Sequence, residues 1–209
     1  GIPVRLTMPE NVTPERLKIL KAYGAELILT SGRKGSDGAI LMAKELYAEK
    51  PDCYFYPDQY GNPANWQAHY QTTASEIYEQ TNGLITHFVT GLGTTGTFIG
   101  TSRRLKELNS VIQCFSMQPD SPLHGLEGMK HMPSSIVPAI YDSRVADGEL
   151  NVSTEAAQEM VLRLAQEEGL LVGISAGANV VAAMRVAENV KSGIVVTILC
   201  DGGMKYLNE

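Results

Sequence analysis

The stretch HFVTGLGTTGTFIG, residues 87–100, joins a short apolar run to a helix-like run through glycines and threonines. Glycine lets the backbone turn tightly and approach a ligand closely. The start of a helix offers unpaired N–H groups and the positive end of the helix dipole, which suit an anion such as phosphate. Threonine hydroxyls add further donors. The sequence therefore predicts a phosphate-binding loop at Gly93, Thr94, Thr95, Gly96 and Thr97.

On both sides of this loop, runs typical of strands alternate with runs typical of helices. This alternation predicts an α/β protein with mostly parallel sheets that carry helices on both faces. Strands are predicted at 2–9, 26–31, 83–90, 111–119, 170–175 and 193–203. Helices are predicted at 11–26, 36–51, 67–81, 95–108, 152–169 and 176–190, and residues 120–148 are predicted to be irregular.

A segment rich in aromatic residues and proline follows the second predicted helix and indicates a loop or a domain crossing. We therefore predict two lobes. Residues 1–60 form what is present of a small lobe, and residues 61–209 form a large lobe that carries the phosphate loop.

Two familiar phosphate motifs do not match the loop. A Walker A loop requires a lysine directly after its last glycine, and Thr97 follows Gly96 instead. The glycines fit the dinucleotide spacing numerically, but they lie deep in the chain, and no acidic residue suited to a ribose follows about 20 residues on. A tight strand-to-helix turn without a ligand is the alternative.

Ligands of parallel sheets bind at the carboxyl ends of the strands, so polar residues just after strands are candidates. Ser175 ends the predicted strand 170–175, and its hydroxyl can bond a ring nitrogen there. The alternative is an ordinary helix N-cap.

Two loops add candidates. Gln59 precedes a Gly-Asn-Pro turn, and its amide can recognise a substrate carboxylate; the alternative is a plain turn before a helix. Lys130 lies in the glycine-containing loop HGLEGMKHMP, residues 124–133, which either contacts an anion or is simply solvated.

Composition excludes several classes of protein. A net charge of -6 and a pI near 5.3 argue against a nucleic-acid binder. No apolar run is long enough to cross a membrane. The three cysteines are widely spaced, which favours buried thiols in a reducing compartment such as the cytoplasm over disulfides or a zinc site. The histidines show no metal-binding spacing, so no metal site is predicted.

Several segments together resemble the cysteine synthase family of fold-type II pyridoxal-phosphate (PLP) enzymes, whose fold is similar to that of the tryptophan synthase β subunit. They are MPENVTPERLKILKAYGAELILT (8–30), QYGNPANWQAHYQTTASEI (59–77), GLGTTGTFIGTSRRLKE (91–107), GISAGANVVAA (173–183) and CDGGMKYL (200–207). The GTTGT form resembles the B-type branch, which uses sulfide or thiosulfate.

The resemblance implies a role for each candidate. The glycine-threonine loop would hold the PLP phosphate, and Ser175 would bond the pyridine nitrogen. A serine there would leave this nitrogen largely unprotonated and favour β-elimination and replacement over transamination. Gln59 would lie near the amino-acid carboxylate, and Lys130 would help to select an anionic leaving group. The implied enzyme is a transferase, a homodimer, that makes L-cysteine from O-acetyl-L-serine and sulfide.

One departure concerns catalysis. The family carries its Schiff-base lysine in a Ser-x-Lys stretch upstream of the first segment quoted above, and no lysine from Lys18 to Lys205 stands in that context. We therefore expect an N-terminally incomplete chain, with no catalytic lysine and no activity on its own. The alternatives are a degenerate homologue and a split enzyme whose other piece supplies the lysine.

Other functions remain open at this point. Within the enzymes, a cystathionine β-synthase-like protein or a serine/threonine dehydratase would share the fold and the phosphate loop. Outside them, the alternatives are a non-catalytic module that binds a phosphorylated ligand and a nucleotide-binding Rossmann-like domain.

Overall fold

The computed structural model describes residues 1–206, apart from the side chain of Lys205. The described residues form two compact units, one of residues 1–57 with 204–206 and one of Asp58–Gly203. The lobe boundary at residue 60 stays a prediction. Residues 207–209, which that prediction assigns to the large lobe, lie outside the described residues.

The first unit is a small parallel βαβ arrangement. Its strands β1 (Arg5–Pro9) and β2 (Glu26–Thr30) pair in parallel and are joined through helix α1 (Pro14–Ala22). Helix α2 (Gly35–Glu49) packs on both strands. The Thr7 hydroxyl ties strand to helix by donating to the Ala39 carbonyl at 2.9 Å.

The second unit contains a four-stranded parallel sheet in the order β5-β4-β3-β6. Its strands are β3 (Ile85–Gly91), β4 (Gln113–Pro119), β5 (Gly148–Val152) and β6 (Ile194–Thr197). Strand β3 pairs with a neighbour on each side, which places the carboxyl end of this strand at the middle of the sheet edge. The predicted phosphate loop begins at this end.

Helices cover both faces of this sheet, as the α/β prediction requires. They are α3 (Ala64–Gln71), α4 (Thr73–Gln80), α5 (Gly96–Leu108), α6 (Thr154–Glu168) and α7 (Ile174–Ala187). Helix α5 packs on β3 and β4 together with α3 and α4, whereas α7 packs on β3, β5 and β6 together with α6. Phe88 of β3 lies fully buried in a core with Phe98, Ile99 and Leu105 of α5. Burial of these side chains anchors the start of α5 beneath the loop.

Three local predictions are wrong. Residues 170–175 form no strand: Val172 makes one isolated antiparallel bridge to Gly202, and Gly173 caps α7 instead. Strand β5 was not predicted, because Gly148 was assigned to the irregular segment, Val152 to the following helix, and the residues between them to no element. The predicted helix 67–81 is two helices that break at Thr72.

The structure agrees only in part with what the composition predicts for the cysteines. Cys114 is buried, but Cys53 and Cys200 are exposed, and all three are free thiols. Buried thiols were therefore predicted correctly only for Cys114. Within residues 1–206, no helix combines the length and the apolar character needed to cross a bilayer.

Candidate anion-binding site

The glycine-threonine loop leaves donors open at the start of α5. Thr95 occupies the N-cap position in a left-handed conformation, with φ of 72°, and makes no side-chain cap bond, while the Gly96 N–H approaches the Thr94 hydroxyl oxygen at 3.4 Å. The first N–H groups of α5 therefore point out of the helix without an intrahelical acceptor. The Thr95 hydroxyl is also buried and has no hydrogen-bond partner in the described part of the chain. A buried hydroxyl without a partner is costly, which indicates that an acceptor from a ligand belongs here.

Two glycines are required by close approaches to the loop. A Cβ at Gly93 would lie 2.4 Å from the Gly128 carbonyl oxygen, and one at Gly96 would lie 1.9 Å from Asn65 Oδ1. At Gly93 the neighbour is a backbone atom that cannot move aside, whereas at Gly96 a side chain would force Asn65 out of its position. The glycines therefore let two other segments press against the loop from outside.

Asn65 joins the Gln59 turn to the phosphate loop. Its Nδ2 donates to the Gln59 carbonyl at 2.6 Å and to the Thr94 hydroxyl oxygen at 3.0 Å. Gln59 itself is exposed. The structure thus brings the predicted carboxylate-binding turn and the predicted phosphate loop together. Sequence reasoning missed Asn65, although it lies in the same quoted stretch as Gln59.

Lys130 lies beside the same loop and is only 2% exposed, so the solvated-loop alternative is wrong. Its backbone N–H donates to the Leu92 carbonyl at 2.8 Å. Its Nζ stands 5.3 Å from the centroid of the Tyr60 ring, a cation–π distance. A buried ammonium group is thus held between the glycine-threonine loop and the Gln59–Tyr60 turn.

His69 supports the loop from α3. Its Nε2 lies 3.2 Å from the Thr97 hydroxyl, and its Nδ1 lies 3.0 Å from the Thr73 hydroxyl. Burial lowers the pKa of His69 below its usual value of 6.5, so the imidazole is neutral at pH 7. A neutral ring with one N–H and one acceptor nitrogen matches two hydroxyl partners.

Ser175 lies in the first turn of α7, one residue inside the helix, so it neither ends a strand nor caps the helix. Asn179, one turn further along, accepts from the Gly91 N–H at 2.8 Å and donates to the Ile198 carbonyl at 2.8 Å. Residues four apart share a helix face, so Ser175 lies on the face that meets the end of β3. A hydrogen bond from Ser175 also favours the thiolate of Cys200, although desolvation of this thiol is the larger effect and raises its pKa.

These residues fit a phosphorylated ligand. The partnerless Thr95 hydroxyl and the N–H groups of the first turn of α5 supply donors to an anion at one point of the sheet edge, and Gly93 and Gly96 allow the close approach of neighbouring segments there. A buried lysine and an exposed amide lie beside it. The fold and the site together define an α/β protein of the type that binds a phosphorylated small molecule at the end of a parallel sheet.

Comparison with known proteins identifies the family. A model of the family described as "Pyridoxal-phosphate dependent enzyme" matches residues 1–201. The chain belongs to this family. Its fold is that of the fold-type II PLP enzymes, and its cofactor is PLP.

Individual members of the family are similar to this chain over nearly its whole length. A cysteine synthase from Aquifex aeolicus is 49% identical over 99% of this chain, and a cysteine synthase B from Pseudomonas aeruginosa is 40% identical over 100% of it. The crystal structure of an O-acetylserine dependent cystathionine beta-synthase from Helicobacter pylori superposes with a TM-score of 0.91 at 35% identity, covering 100% of this chain and 70% of that one. The chain spans 64% of the Aquifex protein and 69% of the Pseudomonas protein.

Proposed function

We propose that the protein is a PLP-dependent β-replacement enzyme that makes L-cysteine from O-acetyl-L-serine and sulfide, with the B-type reaction, which also uses thiosulfate, preferred. The observation that carries this proposal is the buried, partnerless Thr95 hydroxyl in a glycine cradle at the start of α5. The loop that holds it is bonded through Asn65 to the turn that presents Gln59. The identity to two cysteine synthases supports the choice of reaction.

The glycine-threonine loop and Ser175 would hold the cofactor. Donors for its phosphate are the hydroxyls of Thr94, Thr95 and Thr97 and the N–H groups of the first turn of α5 from Gly96. Gly93 gives the backbone its close approach. Ser175 would hydrogen-bond the pyridine nitrogen. When bound, PLP supplies the electron sink that stabilises a carbanion at the substrate Cα.

Gln59 and Lys130 would act on the substrates. The exposed amide of Gln59 can donate to the carboxylate of the amino acid. The buried ammonium group of Lys130 offers positive charge to an anionic leaving group or sulfur donor, and the low dielectric around it strengthens that attraction. This charge supports the B-type preference, because thiosulfate carries more negative charge than hydrosulfide.

The reaction is tested on the full-length protein with O-acetylserine and a panel of acceptors. We expect acetate release, with cysteine formed from sulfide and S-sulfocysteine formed from thiosulfate. Homocysteine is the matched acceptor for the rival function, since a structural relative is a cystathionine beta-synthase that depends on O-acetylserine. Faster turnover with homocysteine than with sulfide would move the assignment to that reaction, and no acetate release with PLP present would reject both.

We also propose that the 209-residue chain alone is inactive, because no lysine in it stands in the family's Schiff-base context. Turnover by the purified chain without an added partner would contradict this proposal. We also propose that residues 1–60 belong to a small lobe and that residues 61–209 form the large lobe.

A homodimer in the cytoplasm completes the proposed function. Large apolar side chains such as Phe55, Leu123 and Ile2 are at least 90% exposed in the chain by itself, which favours burial against another surface. Free thiols at Cys53, Cys114 and Cys200 suit a reducing compartment. Sedimentation of the full-length protein tests the dimer, and localisation of a tagged copy tests the compartment.

A further inference from the structure

We propose that Asn65 is a positioning residue that directs the Thr94 hydroxyl toward the ligand phosphate and holds the Gln59 turn at a fixed spacing from it. The inference rests on the proposed function, since it assigns a role inside that site. In the proposed arrangement Asn65 contacts neither substrate nor cofactor. It acts through Gln59 and Thr94, which do contact them.

The orientation of the Asn65 amide is determined by its partners. The Gln59 carbonyl can only accept a hydrogen bond, so the atom 2.6 Å from it is the amide nitrogen. The second N–H of the same nitrogen then points to Thr94 Oγ1 at 3.0 Å. The amide oxygen is left on the opposite side, against the Cα of Gly96.

This arrangement limits what the Thr94 hydroxyl can do. A hydroxyl has two acceptor sites and one proton to donate. One acceptor site takes the Asn65 N–H, and the Gly96 N–H approaches the same oxygen at 3.4 Å. Because donors face the oxygen from both directions, its own proton is turned away from them, toward the site of the anion.

The second bond of Asn65 controls the spacing of the two subsites. The turn at Gln59 is tight: Asp58 has a positive φ of 44°, and its carbonyl accepts from the Gly61 and Asn62 N–H groups. The bond from Asn65 fixes the carbonyl of Gln59 in this turn relative to Thr94. A substrate whose carboxylate meets Gln59 would then stand at a set distance from the phosphate.

The position of Asn65 is itself well defined. It is the second residue of α3, and its backbone N–H donates to the Asn62 carbonyl at 3.1 Å. Gly96 leaves room for its side chain, since a Cβ there would lie 1.9 Å from Asn65 Oδ1. The backbone of Gly96 on one side and two bonded partners on the other hold the amide in one orientation.

A double-mutant cycle on the full-length protein tests the proposal, with Asn65→Ala, Thr94→Val and the double variant. Each is titrated with pyridoxal phosphate after removal of the cofactor. We expect each single variant to bind about 10-fold more weakly, the size of one hydrogen bond to a charged group. The double variant should match Thr94→Val, because Asn65 acts on the phosphate only through Thr94.

The proposed role of Asn65 in holding the Gln59 turn is tested by the KM for the amino-acid substrate. Asn65→Ala should raise the KM for O-acetylserine, measured at saturating cofactor, by more than Thr94→Val does, because Thr94→Val leaves the bond from Asn65 to the Gln59 carbonyl in place. The control is Asn189→Ala, which removes an exposed amide that also donates to a backbone carbonyl, that of Arg185 at 3.1 Å. This control should alter neither quantity.

Additive losses in the double variant, with normal binding by the unchanged protein, would overturn this inference and leave the proposed function standing. No binding of pyridoxal phosphate by the unchanged protein would overturn both. If Asn65→Ala does not fold, Asn65→Asp keeps the shape but removes both donors. Binding as tight as in the unchanged protein would then count against the inference.

Discussion

Two helix starts at the same sheet behave differently, although both follow an apolar run and glycine in the sequence. Helix α5 begins after the seven-residue strand β3, which has a paired neighbour on each side. Helix α7 begins after residues 170–173, where Val172 makes an isolated antiparallel bridge to Gly202 instead of belonging to a strand. Neither helix has a side-chain bond from its N-cap residue, but the first start holds the partnerless Thr95 hydroxyl, whereas the second places a buried serine inside the helix.

The comparison shows that the surroundings decide what a strand-glycine-helix pattern becomes. At α5, the segments carrying Gly128 and Asn65 press against the glycines and leave the donors open. At α7, Asn179 uses its amide to join the helix to the end of β3. This difference supports our proposal that the first start binds the cofactor phosphate and that Ser175 acts at the same site.

The largest effect is expected from Gly93→Ala. The new Cβ would lie 2.4 Å from the Gly128 carbonyl oxygen, a backbone atom that cannot move aside alone. We expect the free energy of unfolding to fall by about 1–3 kcal/mol and PLP binding to be lost. Gly202→Ala, near the start of α7, is the matched control, because its nearest atom is 4.0 Å away. Urea denaturation of both variants checks the contrast, and equal losses would contradict it.

Thr95→Val should separate ligand binding from stability. The substitution keeps the branched shape but removes a buried hydroxyl that has no partner in the described chain. Without ligand, we expect the stability to be unchanged or to rise by up to about 1 kcal/mol, because an unsatisfied polar group disappears. The affinity for PLP should fall about 10-fold or more. A loss of stability in the cofactor-free protein would argue that the hydroxyl has a structural partner.

His69 should make the α5 side of the site sensitive to acid. Burial lowers its folded-state pKa below 6.5, so the unfolded state takes up the proton first as the pH falls. Stability should therefore decrease below about pH 6.5, with a slope from this residue of at most about 1.4 kcal/mol per pH unit. The difference in pH slope between the unchanged protein and His69→Gln, from denaturation at pH 5 to 8, measures it. Parallel slopes would show that His69 does not contribute.

The smallest effect concerns Ser175→Ala at α7. The Ser175 hydroxyl favours the Cys200 thiolate, so its removal should raise the pKa of Cys200 further and slow alkylation at pH 8, by less than about 10-fold. Cys53 is exposed and serves as an internal control whose rate should not change. Burial raises the pKa of Cys114 to about 11, so this thiol should stay unreacted in both proteins. Mass spectrometry of labelled peptides gives all three rates. Faster labelling of Cys200 in the Ser175→Ala variant would contradict the stabilisation of its thiolate by Ser175.

Local signals predicted the elements whose stability depends on their own residues. Helix α6 begins where Ser153 can cap it, and its hydroxyl accepts from the Ala156 N–H. The loop at Gly93–Thr97 follows a strand of buried residues and opens a helix, as predicted. Residues 170–175 carry the same kind of apolar run, but a strand requires a neighbour to bond with, and the pattern of one segment cannot reveal it.

By itself, the sequence determined that this is an α/β chain, that its glycine-threonine loop lies between strand and helix, and that its segments resemble those of PLP enzymes. Periodicity and short-range spacing carry this information, because they act within a few residues. Only the tertiary structure decided that Lys130 is buried, that Asn65 links Gln59 to Thr94, and that Ser175 lies inside α7. These facts depend on contacts between distant segments, which form only when the sheet has brought its loops to one edge.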